Sequence, residues 1–147
     1  MNTPIPSTPP TKLDVLQTHL AQELKQPNPL IGCRLDPTGR FAVAGAQDNS
    51  VQRWDLATGK ATALAAHKSW VRALVFTADG KHLVVANQRL RVLSMPDGRE
   101  IASLPGHSGR VSSIALSPDE QLLASVSEEE GAVRLWAMPA LKQPDPE

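Results

Sequence analysis

The side chains best equipped for chemistry in this chain are four histidines (His19, His67, His82 and His107), one cysteine (Cys33) and the carboxylate run Glu128-Glu129-Glu130. An imidazole that titrates near neutrality can move a proton, and a thiolate can attack a carbonyl or hold a metal. Either use requires partners at short range, a base beside a nucleophile or several ligands around one ion. The sequence offers no such grouping. It contains no Gly-rich phosphate loop, nucleophile elbow, His-Glu metal helix or carboxylate pair at pocket-forming spacing, and its Cys and His residues do not stand at metal-ligand spacing. Catalysis, a metal and an organic cofactor are therefore not expected. Cys33 lies in an apolar run and is expected to be a core thiol. His19 and His82 are expected on helix and strand surfaces. His67 and His107 are 40 residues apart and each precedes an apolar run, which points to a repeated structural duty.

Those recurrences belong to repeated elements. Runs at 30–35, 71–76 and 111–116 start 41 and 40 residues apart, and each is followed by a turn built from Asp, Pro, Thr, Ser or Gly: Asp36-Pro37-Thr38-Gly39, Thr77-Ala78-Asp79-Gly80 and Ser117-Pro118-Asp119-Glu120. Each turn leads to a second short run (41–46, 82–87, 122–127) and a third (51–55, 90–94, 132–137). The first two units add a fourth, at 61–65 and 100–104. Four short strands in about 40 residues is the spacing of a propeller blade, a small antiparallel sheet that must stack on neighbours to bury both faces. Ahead of these units, 1–10 is a proline-rich, disordered leader. Leu13, Leu16, Leu20 and Leu24 recur at helical steps, predicting an amphipathic helix over 11–26; such a helix could cap the first blade. Residues 140–147 form a C-terminal tail.

Within the repeats, Trp54-Asp55 closes a third strand, Gly106-His107 precedes a first strand, and Val133-Arg134-Leu135-Trp136-Ala137 ends another; Trp54 and Trp136 are 82 residues apart, two periods. This pattern resembles the WD-repeat β-propeller family over roughly 30–138. The resemblance implies an all-β partial propeller of three antiparallel blades, at about 27–66, 67–106 and 107–139, the last without a convincing fourth strand. It also implies a hydrogen-bonded network within a blade, joining a His before the first strand, a Ser or Thr in the second, an Asp in the next turn and the Trp of the third. Carried over by position, the third unit supplies His107, Ser125 and Trp136, with Glu130 or Glu129 where Asp is usual. The first has Asp48 and Trp54 but Ala44 in place of Ser. The second keeps His67 but has Val85 and Leu93 in place of Ser and Trp. The blades are expected to depend on apolar packing. Rings of this family usually have about seven blades and need roughly four to close, so three blades leave open faces. Self-association into a ring, completion by another propeller-containing chain, and truncation of a longer product all fit.

Function follows from topology. In an antiparallel blade the loops before the first strand and between the second and third emerge on one rim. That rim carries Lys68, Ser69, Trp70, Arg72 and Arg110, with Asp48, Asn49 and Arg89 between strands. An indole flanked by basic residues is the composition of interface centres, so the expected function is a non-catalytic scaffold that binds protein partners, with Trp70 at its centre. The alternative is a building block that pairs with copies of itself. Lys plus Arg and Asp plus Glu each number 15 in 147 residues, which gives no overall pull toward nucleic acid or an anionic membrane. Arg89, Arg91, Lys81, His82 and Arg99 form only a small basic patch, expected to be a solvated surface. The lone cysteine and the lack of a signal-like start or apolar spanning run predict a cytoplasmic protein.

Overall fold

A computed structural model of the chain describes residues 15–64, 67 and 69–138. Eleven strands follow in chain order: β1 (Leu30–Leu35), β2 (Phe41–Ala46), β3 (Val51–Asp55), β4 (Ala61–Ala63), β5 (Ala73–Phe76), β6 (His82–Ala86), β7 (Leu90–Ser94), β8 (Arg99–Leu104), β9 (Val111–Leu116), β10 (Leu122–Ser127) and β11 (Val133–Ala137). They form three meandering antiparallel sheets: β1-β2-β3-β4, β5-β6-β7-β8 and the three-stranded β9-β10-β11. The innermost strands β1, β5 and β9 lie side by side.

The turns hold because short polar side chains replace backbone partners. Asp36 accepts from the Thr38 N–H at 3.2 Å, Asp79 from the Lys81 N–H at 2.9 Å, and Asp119 from the Gln121 N–H at 3.1 Å. The first two turns place Gly39 and Gly80 at φ of 76° and 72°, and the third places Glu120 there at 60°. A side chain at positive φ carries strain. Glu120 gains an offsetting contact, since its carboxylate accepts from the Ala78 N–H of the neighbouring blade at 2.5 Å.

The middle sheet is the core of the molecule. One of its faces (Leu74, Leu83, Val85 and Leu93) packs on Val43, Val51 and Leu64 of the first sheet. Its other face (Ala73, Val84, Ala86, Leu90 and Val92) packs on Val111, Ile114 and Leu123 of the third. Alternation along the strands therefore leaves the third sheet with an outward face of Leu122, Ala124, Val126, Val133 and Leu135. Val133 and Leu135 there are 64% and 65% exposed.

Three expectations are corrected. The helix over 11–26 is absent among the described residues: only a single 3-10 turn, Val15–Gln17, forms, and 18–29 has no regular structure. Leu16 and Leu20 are 91% and 72% exposed and Leu24 is half-buried, and an amphipathic helix of this length forms only where its apolar stripe is received. Instead the segment crosses the first blade from rim to rim. Gln22 Nε2 lies 3.9 Å from where a Cβ on Gly59 would stand, in the β3–β4 turn. At the other rim Asn28 donates to Asp48 at 3.0 Å and Gln47 N–H to the Pro29 carbonyl at 2.9 Å. Cys33 is exposed, because β1 is an edge strand and turns it away from the second blade. His82 is buried on the fully enclosed strand β6 rather than on a surface. The expected leader at 1–10, the start of the helix at 11–14 and the tail at 140–147 lie outside the described residues.

Candidate functional site

Two glycines bring the rim together. A Cβ on Gly32 would come within 2.9 Å of the Arg72 carbonyl oxygen, and one on Gly45 would collide with the carbonyl oxygen of Val71. Their absent side chains let the connection leading into β5 press its backbone against β1 and β2. The Arg72 N–H is then fixed to the Ala86 carbonyl at 3.2 Å, and the His67 N–H to the Asn49 carbonyl at 3.1 Å. Asn49 closes the β2–β3 turn at φ 68°, a conformation that Asn tolerates better than most side chains.

The result is a cleft of about 310 Å3 lined by Asn49, Ser69, Trp70, Arg72 and Arg110. Trp70 is 40% exposed. The Arg72 guanidinium carbon stands 5.5 Å from its ring centroid, within cation–π range. Arg72 Nε is buried and has no hydrogen-bond partner among the described residues. Arg110 is exposed. Its backbone N–H donates to the Glu129 carboxylate at 3.2 Å, and its guanidinium makes a long 3.7 Å pair with the same group. The cleft's own charged lining consists of two guanidinium groups.

Other rim candidates lie elsewhere. Asp48 accepts from Asn28 and from the Ser50 N–H at 3.1 Å, so it braces its own turn. The Ser50 hydroxyl, and then the Ser50 N–H, hold its carboxyl below the ordinary range. Arg89 donates through Nε to the Ser103 hydroxyl at 3.2 Å. Lys68 lies outside the described residues.

In the third blade His107, Ser125 and Trp136 are joined. Trp136 Nε1 donates to Ser125 Oγ at 2.9 Å, His107 Nε2 is 2.7 Å from the same oxygen, and His107 Nδ1 is 2.6 Å from Glu130. A carboxylate can only accept, so Nδ1 carries the proton; in the neutral ring Nε2 then accepts from the Ser125 hydroxyl, and every polar atom in the chain is satisfied. Glu130, rather than Glu129, makes the link. It also accepts from the Ser108 N–H at 2.9 Å and pairs with Arg134 at 3.5 Å. The Ser108 hydroxyl, followed by His107 and the Ser108 N–H, pulls its pKa from 4.5 to about 2.

The other two blades lack this chain. His67 is buried, with Nδ1 3.2 Å from the Arg91 guanidinium, a pure donor, so the proton sits on Nε2, which has no partner among the described residues. Burial, then Arg91, holds its pKa below the ordinary value against a smaller opposing pull from Glu100. Trp54 is 3% exposed on the face of the first sheet turned away from the second. Among the described residues no group of three or more His, Cys, Asp or Glu could hold a metal, and no helix is long and apolar enough to cross a membrane.

Sequence reasoning missed the glycine contacts that set the cleft, although a Gly inside the apolar run at 41–46 signals close backbone approach. It also left open which glutamate follows His107. An extra residue in that turn made the spacing ambiguous.

Comparison with known proteins bears on the whole arrangement. The family described as "WD domain, G-beta repeat" matches residues 15–55, 60–92 and 98–137. Each matched segment ends in the third strand of a blade, and the second and third begin just before the fourth strand of the preceding sheet, so each of those two sequence repeats straddles two sheets. An uncharacterized WD repeat-containing protein of Synechocystis sp. is 30% identical over 106 residues, covering 69% of this chain and 30% of that protein. Human WD repeat and SOCS box-containing protein 1 is 38% identical over 99 residues, covering 64% and 23%. The solved structure of U3-55K superposes with a TM-score of 0.71 at 19% identity, covering 77% of this chain and 37% of that one. The chain thus spans about a third or less of these relatives.

Proposed function

The chain belongs to the WD-repeat family, and from that premise we propose that it is a non-catalytic protein-interaction scaffold whose rim binds a protein partner at the Trp70 cleft. The family generally comprises scaffolds of this kind. The observation that carries the reading is the convergence of Asn49, Ser69, Trp70, Arg72 and Arg110, contributed by turns of all three blades, on one cleft with a part-exposed indole. Trp and Arg supply much of the binding energy at interface centres because they offer large area and several donors at low entropic cost. The test is affinity capture from cell extract with the wild-type chain and Trp70→Ala, scored by quantitative mass spectrometry. A partner retained by the wild type and lost from a folded Trp70→Ala chain is expected. Retention of every partner by the variant would remove Trp70 from the interface, and unfolding of the variant would assign it to the core.

A second reading is favoured by the outward face of the third sheet, where Leu122, Val133 and Leu135 are exposed together with no charged residue between them. A contiguous apolar face of this kind marks an association surface. On this reading the chain is a building block that pairs with another copy of itself.

A further inference from the structure

Resting on the first of these readings, we infer that the Trp70 cleft recognises an acidic peptide segment, taking an Asp or Glu carboxylate at Arg72 and Arg110 and an adjoining apolar side chain against the Trp70 ring. Among the described residues the cleft's lining carries no carboxylate, Glu129 lying just outside it against Arg110. Arg72 and Arg110 are its two charged lining groups, while Asn49 and Ser69 are neutral. Arg72 is the more demanding: it is a permanent cation lining the cleft, and its buried Nε has no acceptor among the described residues, so its charge is left to the rest of the guanidinium and what binds there. Leaving such a donor unpaired is costly, and a carboxylate, which accepts in a planar, bidentate manner, is its natural complement.

Arg110 is only loosely engaged. Its 3.7 Å pair with Glu129 joins two exposed groups, the kind of contact that contributes little and exchanges readily. A ligand carboxylate can take that place while Glu129 keeps its bond to the Arg110 N–H.

The indole decides among anionic ligands. One flank of Trp70 is stacked by Arg72, yet 40% of the residue remains exposed, which provides an apolar wall that a free inorganic anion would not use. A nucleic-acid backbone requires a row of cations along its track; this cleft has two, with Glu129 beside one of them. A neutral peptide would bury both guanidinium groups without neutralising either, an expensive desolvation. A chain carrying a carboxylate next to an apolar side chain uses every feature.

The experiment is fluorescence anisotropy of the whole chain with a fluorescein-labelled peptide of alternating glutamate and leucine, alongside the same peptide with glutamine at each glutamate. The glutamate peptide is expected to bind about tenfold or more tightly than its glutamine counterpart, and more weakly as salt is raised. Arg110→Ala and Arg72→Met should each weaken it about tenfold, and Trp70→Ala should weaken both peptides. Circular dichroism confirms that each variant is folded, and Arg110, being exposed, provides the test should Arg72→Met unfold. Equal binding of both peptides, lost in Trp70→Ala, would overturn the carboxylate preference and leave the rim reading intact. So would the absence of saturable binding by either peptide while Trp70→Ala still loses its partner from extract. Glutamate-peptide binding indifferent to all three substitutions would overturn both.

Discussion

Ser125 carries two hydrogen bonds where water does not reach: it accepts from Trp136 Nε1 and meets His107 Nε2, at 1% exposure. Ser125→Ala strands both ring nitrogens, and each unmet buried group costs about 1–3 kcal/mol. A loss of roughly 2–4 kcal/mol is expected by urea denaturation; a loss no larger than that of an exposed Ser→Ala change would show that the chain of bonds is incidental. Glu130 supplies the pH dependence. Its folded pKa of about 2 lies below its ordinary 4.5, so the unfolded chain takes up the proton first as pH falls. Its stabilising contribution is complete above about 4.5 and drains away toward about 2. Asp48, Asp79 and Asp119 are shifted in the same direction, so the difference between wild type and Glu130→Gln is the informative quantity. Thermal melts should show the variant lower by several degrees at neutral pH and the two curves converging below pH 3; a constant gap would mean that Glu130 acts by packing, not charge. His107, Ser125 and Trp136 could be picked out in the sequence because family spacing fixes strand positions, whereas Glu130 could not, since a turn one residue longer can present either of two glutamates.

Elements whose period is local were legible, and those that depend on a distant face were not. The strands follow their apolar runs closely, with β3, β7 and β10 spanning the expected residues, because a strand paired on both sides reads directly from its own side chains. The segment after Pro10 carries a leucine period just as regular, yet a period specifies a helix only if something receives its apolar stripe. Here the described part of the segment beyond 17 has no regular structure, and what holds it is polar: Gln22 stands near the Gly59 turn and Asn28 donates to Asp48. The cleft was half legible. Its side chains could be listed from loop positions, but their convergence depends on Gly45, whose missing Cβ lets Val71 sit against β2. Gly45→Ala forces that backbone outward, an overpacking cost of about 1–3 kcal/mol. Intrinsic fluorescence should shift along with stability, because Trp70 lies one residue before the displaced carbonyl. An unfolding midpoint and emission spectrum equal to wild type would mean that the two strands part at no cost.

The two ends of the stack differ. The first blade's outward face buries Trp54 at 3% exposure but leaves Leu35, opposite Ala42 of β2, 68% exposed, whereas the third blade's outward face leaves Val133 and Leu135 about two-thirds exposed on β11, the outermost described strand of its sheet. The third blade's outward face is where several exposed apolar side chains, Leu122, Val133 and Leu135, stand together, so the pairing expected is third blade against third blade. Such a contact is isologous and closes at two copies. Burying a Leu or Val side chain gains about 1.5–3 kcal/mol, and a two-fold axis counts each substitution twice. Leu135→Glu should therefore weaken association about a hundredfold or more. Light scattering over a concentration series should show wild-type mass rising from one chain to a plateau at two, with the variant remaining at one. A plateau beyond two would mean that the first blade's outward face takes part as well and the blades continue to stack. A wild-type chain that stays single at every concentration, melts cooperatively and matches its Leu135→Glu variant would refute the pairing and leave the Trp70 rim as the molecule's binding surface.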